Sequence, residues 1–184
     1  MTRIIGGVAG GRPLATPGGN ATRPTSDRVR EAVFSTLESL LGSWSGRRFL
    51  DLFAGSGAVG LEAVSRGAAH ATLVENSRRV ATVARTNVRS LGFAADVVQL
   101  PAGRYLRQEP KAPYDVVFLD PPYSDSAAEI GGLVETLVLG GWLTQDAVVV
   151  VERPTGTEFG WPNGVTADRA KRYGATTVWY GRAS

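Results

Sequence analysis

Phe49-Leu50-Asp51-Leu52-Phe53-Ala54-Gly55-Ser56-Gly57-Ala58-Val59-Gly60 is the stretch from which the rest of the chain is read. Its apolar start predicts a strand over Phe49–Phe53. The glycines at 55, 57 and 60 permit a tight turn, close backbone approach and close packing of the next element. That element is expected to be a helix over Gly55–Arg66, closed by Gly67.

The same alternation continues downstream. Strands are predicted at Ala71–Glu75, Asp96–Leu100, Tyr114–Leu119 and Ala147–Val151. Between them come helices at Ser77–Leu91, closed by Gly92, a short one at Ala102–Gln108, and Ser126–Leu139, weakened by Gly131-Gly132. Strand–helix alternation of this kind predicts an α/β fold, a mostly parallel sheet with helices on both faces. The tail differs. Residues 165–172 and 175–181 flank Tyr173-Gly174 and predict an antiparallel hairpin as strands six and seven. A parallel sheet ending in such a hairpin is similar to the Rossmann-like arrangement of class I methyltransferases. Upstream, residues 3–15 read as a glycine-rich hairpin with Ile4, Ile5, Val8 and Leu14 as its apolar positions. After Arg23-Pro24, Thr25-Ser26-Asp27 offers N-cap side chains. Val29, Val33, Leu37, Leu40 and Leu41 then recur at helical spacing up to Gly42. The division that follows is a hairpin and basic arm at 1–24 and one catalytic domain at 25–184.

Composition removes several function classes. The 184 residues contain no cysteine and one histidine, His70, so disulfides, thiol nucleophiles and Cys or His metal clusters are excluded and no metal is expected. No apolar stretch approaches membrane-spanning length and the start does not resemble a signal peptide, so no membrane partner and a cytoplasmic location are expected. The formal net charge is +3. Its placement is uneven: Arg3, Arg12, Arg23, Arg28 and Arg30 face only Asp27 within residues 1–30, while the remainder is close to neutral. A basic arm of this kind suits nucleic-acid phosphates, although a solvated arm would look the same.

Two carboxylates follow the first two strands. Glu75 lies 20 residues after Gly55 and is placed to accept hydrogen bonds from ribose hydroxyls. Asp51 precedes the glycine turn. A carboxylate there would repel a pyrophosphate, but it suits the cationic amino-acid portion of S-adenosylmethionine. A third strand end carries Asp120-Pro121-Pro122-Tyr123, directly after Val116-Val117-Phe118-Leu119. The exocyclic amine of a nucleobase is a poor nucleophile because its lone pair is delocalised into the ring. Asp120 and the Pro121 carbonyl can each accept one of its N–H groups, the Pro121-Pro122 pair fixes the backbone that presents them, and Tyr123 can stack on the base. Positioning and charge stabilisation would then carry methyl transfer without a covalent intermediate.

The chain resembles the RsmD family of bacterial 16S ribosomal RNA guanine-N2 methyltransferases. The likeness rests on Arg3-Ile4-Ile5-Gly6-Gly7, Gly11-Arg12, the segment from Arg23-Pro24-Thr25 through Asp27-Arg28-Val29-Arg30-Glu31, the loop from Asp51 through Phe53-Ala54-Gly55-Ser56-Gly57, and Asp120–Tyr123. The resemblance implies S-adenosyl-L-methionine as cofactor, held by Thr25, Asp51, Phe53, Gly55, Gly57, Glu75, Asn76 and Ala102. It implies 16S rRNA within a partly assembled 30S particle as partner, N2 of the guanine conventionally numbered 966 as target, and a monomeric enzyme. Arg3, Arg12, Arg23, Arg28 and Arg30 would contact the RNA. Family members carry Asp or Asn near the adenine amino group where this chain has Pro101, so backbone groups around 100–102 would take that contact. Deletion of residues 2–15 is expected to abolish methylation and spare cofactor affinity.

Three other readings compete. An adenine-N6 methyltransferase fits Asp120–Tyr123 but not the Arg-Pro-Thr segment. A non-catalytic assembly factor does not account for an intact Asp120–Tyr123. A nicotinamide oxidoreductase leaves Asp51 and the Pro-Pro pair without a role.

Overall fold

The computed structural model describes residues 2–18 and 25–184. Its centre is a seven-stranded sheet. β3 (Arg48–Asp51), β4 (His70–Val74), β5 (Ala95–Val98), β6 (Tyr114–Leu119) and β7 (Leu143–Pro154) run parallel, and β8 (Val165–Tyr173) and β9 (Thr176–Ala183) close it antiparallel. The spatial order is β5-β4-β3-β6-β7-β9-β8. Chain order reverses between β3 and β6, and in open sheets ligands bind at such a switch point, beyond the carboxyl ends of the strands.

Alternation within each strand sends side chains to two cores. Phe49, Leu73, Val116, Phe118, Val148 and Val150 pack under α1 (Asp27–Leu41), α2 (Ala58–Ser65) and α3 (Arg78–Leu91). Leu50, Val74, Val117, Leu119, Val149 and Val151 pack under α4 (Ala102–Tyr105) and α5 (Ala127–Leu139). Strands covered on both faces read as unbroken apolar runs, which is why Val148–Val151 and Val116–Leu119 carry no polar alternation. Helix boundaries follow their caps. Ser26, Ser77 and Ser126 accept from the backbone N–H of Val29, Val80 and Glu129, and Ser126 and Glu129 form a reciprocal capping box.

Several boundaries move from their sequence expectations. β3 stops at Asp51 rather than Phe53, and α2 starts at Ala58 rather than Gly55. Gly55 and Gly57 have φ of 56° and 87°, so the loop between them takes a left-handed path that a helix cannot follow. α4 ends at Tyr105, and β7 extends to Pro154, three residues past the expected Val151. The strands of the N-terminal hairpin are short: β1 (Thr2–Arg3) pairs antiparallel with β2 (Pro13–Leu14), and Ile4 continues the pairing by donating to the Arg12 carbonyl and accepting from Gly11 N. The segment is also fixed to the helices. Ile5 N and Gly6 N donate to the two oxygens of Glu62 in α2, each at 2.8 Å, and Ala9 N donates to Ser65 Oγ at 3.0 Å. Ile4, Ala9 and Leu14 enter the α1–α3 core, whereas Val8 lies exposed. Among the described residues no helix is long and apolar enough to cross a membrane.

Candidate active site

Four acidic side chains gather at the carboxyl ends of neighbouring strands. Asp51 ends β3, Glu75 follows β4, Asp120 follows β6, and Glu152 lies near the end of β7. The first three come from the same local pattern, an apolar run that ends in a carboxylate. Glu152 follows Val148–Val151 by the same rule and was missed by sequence reasoning; that pattern was the signal that would have found it.

The loop from Leu52 to Gly57 wraps the first two carboxylates. Leu52 N donates to the Phe118 carbonyl and Ala54 N to the Val74 carbonyl, so the loop stays anchored to both neighbouring strands. Glu75 Oε2 accepts from Gly55 N at 2.9 Å and its Oε1 from Ser77 N at 2.8 Å. The backbone at Gly55 faces open space, since a Cβ built there meets nothing within 4 Å. Gly60 is the opposite case: its Cβ would lie 2.2 Å from Leu73 Cδ2, so only glycine lets α2 sit this close to β4. Phe53 is half-buried, Asn76 exposed, and Ala102 buried at the start of α4, which Pro101 precedes as N-cap.

Asp51 is 1% exposed. Its Oδ1 accepts a long 3.4 Å bond from Phe53 N, while its Oδ2 is buried without a partner. Burial pushes the carboxyl up to about 7, and the nearby Glu75 charge adds to this. A buried carboxylate with an empty acceptor and no ion pair among the described residues lacks a cation. A ligand bearing an ammonium or sulfonium group supplies it, so these residues suit a cationic nucleoside cofactor and do not suit a pyrophosphate.

Asp120 lies at the mouth, half-buried. Burial first, then the charges of Glu152 and Asp51, push it up to about 8; the Thr25 hydroxyl and Arg153 act in the other direction. Thr25 Oγ1 stands 3.3 Å from Asp120 Oδ2 and 3.2 Å from Glu152 Oε2. Pro121 is buried, Pro122 exposed, and the Tyr123 ring is 65% exposed and free to meet a ligand. Arg153, on the opposite face of β7 from Glu152, is 3% exposed and donates to the Asp125 carbonyl, which holds the loop after Tyr123.

The arginines expected to face RNA divide. Arg3, Arg12 and Arg28 lie at the surface. Arg23 lies outside the described residues. Arg30 is corrected: its side chain is 1% exposed, bonded to Asp27 at 3.0 Å and to the Arg3 carbonyl, with Glu62 at 3.9 Å. It ties α1 to the N-terminal segment and cannot reach a phosphate. Helical spacing puts Arg30 on the same face as Val33 and Leu37, a placement that overrides its charge once Glu62 supplies a buried counterion.

The family model described as "Conserved hypothetical protein 95" matches residues 2–182. Ribosomal RNA small subunit methyltransferase D of Escherichia coli (strain K12) is 43% identical over 154 residues, 82% of this chain and 73% of the relative. The protein of the same name from Haemophilus influenzae is 36% identical over 154 residues, 82% and 77% of the two chains. Among solved structures, the yhhF protein of Escherichia coli superposes with a TM-score of 0.85 at 37% identity, covering 99% and 97% of the two chains. Hypothetical protein TTHA0928 of Thermus thermophilus superposes at 0.83 with 34% identity and 98% of each chain.

Proposed function

Because this chain belongs to the conserved hypothetical protein 95 family, the family of small-subunit rRNA methyltransferase D, we propose that it transfers a methyl group from S-adenosylmethionine to the exocyclic N2 of a guanine in 16S rRNA. The observation that carries the reading is the neighbourhood of Asp51 and Asp120: a buried carboxylate with an empty acceptor beside a second one at the open mouth. The first suits a cationic cofactor and the second an amine donor.

S-adenosylmethionine supplies an electrophilic methyl group on a sulfonium. Asp51 would face its cationic amino-acid end. Glu75, already oriented by Gly55 N and Ser77 N, has lone pairs left for ribose hydroxyls. Phe53, Gly55, Gly57, Asn76 and Ala102 would line the rest of the nucleoside. On the substrate side Asp120 and the Pro121 carbonyl accept from the two N–H groups of the amine, which keeps the nitrogen lone pair directed at the methyl carbon. Pro122 stiffens the turn, and the exposed Tyr123 ring stacks on the base. Arg3, Arg12, Arg23 and Arg28 steer RNA phosphates, with residues 1–24 as the docking segment and 25–184 as the catalytic domain. The substrate in this reading is 16S rRNA within a 30S particle, met by a monomer in the cytoplasm.

The test is tritiated S-adenosylmethionine with 30S particles from a strain lacking this gene, followed by nucleoside digestion. Label in N2-methylguanosine supports the reading. Label in N6-methyladenosine, or in no ribosomal nucleoside, discards it.

A further inference from the structure

Thr25 joins two carboxyl groups that belong to strands far apart in sequence. Its hydroxyl has one hydrogen and two lone pairs. It can donate to Asp120 or to Glu152, 3.3 Å and 3.2 Å away, but not to both. Both contacts are hydrogen bonds only when one carboxyl carries a proton that it gives to the Thr25 oxygen. The three groups thus form a chain suited to one proton on two carboxyls. Glu152 is 7% exposed, its Oε1 accepts from Thr176 Oγ1 at 3.2 Å, and no arginine, lysine or histidine among the described residues pairs with it.

Resting on the reading of Asp120 as the amine's acceptor, we infer that Glu152 is its proton-holding partner: it draws the pair's retained proton through the Thr25 hydroxyl, so that Asp120 meets the amine as a carboxylate and takes the amine's proton. The amine lone pair forms the new N–C bond to the methyl carbon as the C–S bond breaks, its electron pair remaining on sulfur. The methylated nitrogen then gives one proton to Asp120. The products are a neutral N-methylamine and a doubly protonated pair, which returns the extra proton to water through the half-exposed Asp120.

The surroundings favour a retained proton. Asp120 is faced by Glu152, Asp51, Thr25 and Arg153; Glu152 is faced by Asp120, Thr25, Thr176 and Tyr180. Among the described residues that face the pair, only Arg153 is cationic. Burial raises both carboxyls and the like charge of Glu152 raises Asp120 further, which favours one proton shared by the pair.

The test uses Glu152→Gln, Thr25→Val and Thr25→Ser in the full chain. In the cofactor-free protein, carboxyl 13C NMR should show Asp120 and Glu152 titrating together in two shared steps. In Glu152→Gln, Asp120 should titrate in one step, below the upper step of the wild type. Thr25→Val should lower kcat about 100-fold, because the retained proton can no longer pass from Asp120 to Glu152, and Glu152→Gln should move the acidic limb of the kcat–pH profile to lower pH with S-adenosylhomocysteine affinity kept within about threefold. Adding Glu152→Gln to Thr25→Val should recover the rate, since Asp120 then ionises alone, and Thr25→Ser should keep it near that of the wild type. Independent titration of the two carboxyls overturns the inference, as does a kcat for Thr25→Val within about threefold of wild type. If wild type leaves 30S particles unlabelled, the proposed function falls, while the NMR titration still reads the pair.

Discussion

Asn87, in the middle of α3, donates from Nδ2 to the Ser56 carbonyl in the glycine loop at 2.9 Å. The same side chain donates to the Ala15 carbonyl at 2.9 Å and accepts from Ala15 N at 2.8 Å. One buried amide therefore fastens the N-terminal segment and the loop proposed to hold the cofactor.

Asn87→Ala should lower stability by about 1–3 kcal/mol, because three hydrogen bonds lose their partner inside the protein. It should also weaken S-adenosylhomocysteine binding about tenfold, since a loosened loop must be ordered on binding. Deleting residues 2–15 removes Ala15 together with the buried Ile4 and Leu14, so cofactor affinity should fall with methylation rather than be spared as the sequence alone suggests. Calorimetric binding on the refolded deletion, unchanged from wild type, would refute this.

Burial pushes Asp51 up to about 7 from an ordinary 3.8, and burial with the neighbouring Glu152 charge pushes Asp120 up to about 8. Raised carboxyls bind more protons folded than unfolded, so ∂ΔG/∂pH is negative across that window. The cofactor-free protein should lose stability as pH rises from about 4 to 8. Asp51→Asn should flatten that decline, and wild-type affinity for a cationic cofactor should rise with pH through about 7. Melting temperature against pH for both proteins is the check; parallel curves would show that Asp51 does not titrate there.

Glu62 is fully buried and receives Ile5 N, Gly6 N and Arg66 Nε while neighbouring the buried Arg30 guanidinium. Glu62→Ala strands a buried cation and two amides. The expected cost is about 3–5 kcal/mol by urea denaturation, with protease cleavage appearing in the N-terminal segment.

Gly7 has φ of 75°, and a Cβ there would stand 1.9 Å from the Ser65 carbonyl oxygen. Gly92 has φ of 67° with open space around it. Gly92→Ala should cost about 1 kcal/mol, the left-handed penalty alone. Gly7→Ala must also push the segment off α2 and should cost about 3 kcal/mol or more. Equal losses for the two would mean that the close contact is not maintained in solution.

Tyr123→Ala should leave stability within about 0.5 kcal/mol, because the ring is largely exposed. Loss of base stacking should lower kcat/KM for 30S particles about 10- to 100-fold, with Tyr123→Phe close to wild type. A strong loss in Tyr123→Phe would assign the hydroxyl, not the ring, to the reaction.

The α/β class, the strand ends that carry Asp51, Glu75 and Asp120, and the closing hairpin are all legible in the order of residues. These are local signals: apolar runs report strands buried on both faces, glycines at 55, 57 and 60 report a turn and a close helix, and each carboxylate follows its run directly. Tertiary structure decided the strand order and every partnership of a buried polar group. Thr25 meets Glu152 across 127 positions, Ile5 meets Glu62 across 57, and Arg30 disappears from the surface because Asp27 and Glu62 receive it. A polar residue in an apolar pattern signals that a partner is needed, but periodicity carries no information about which distant residue supplies it. That choice is made by packing, when the desolvation of each group has to be compensated by whatever the fold brings within hydrogen-bonding reach.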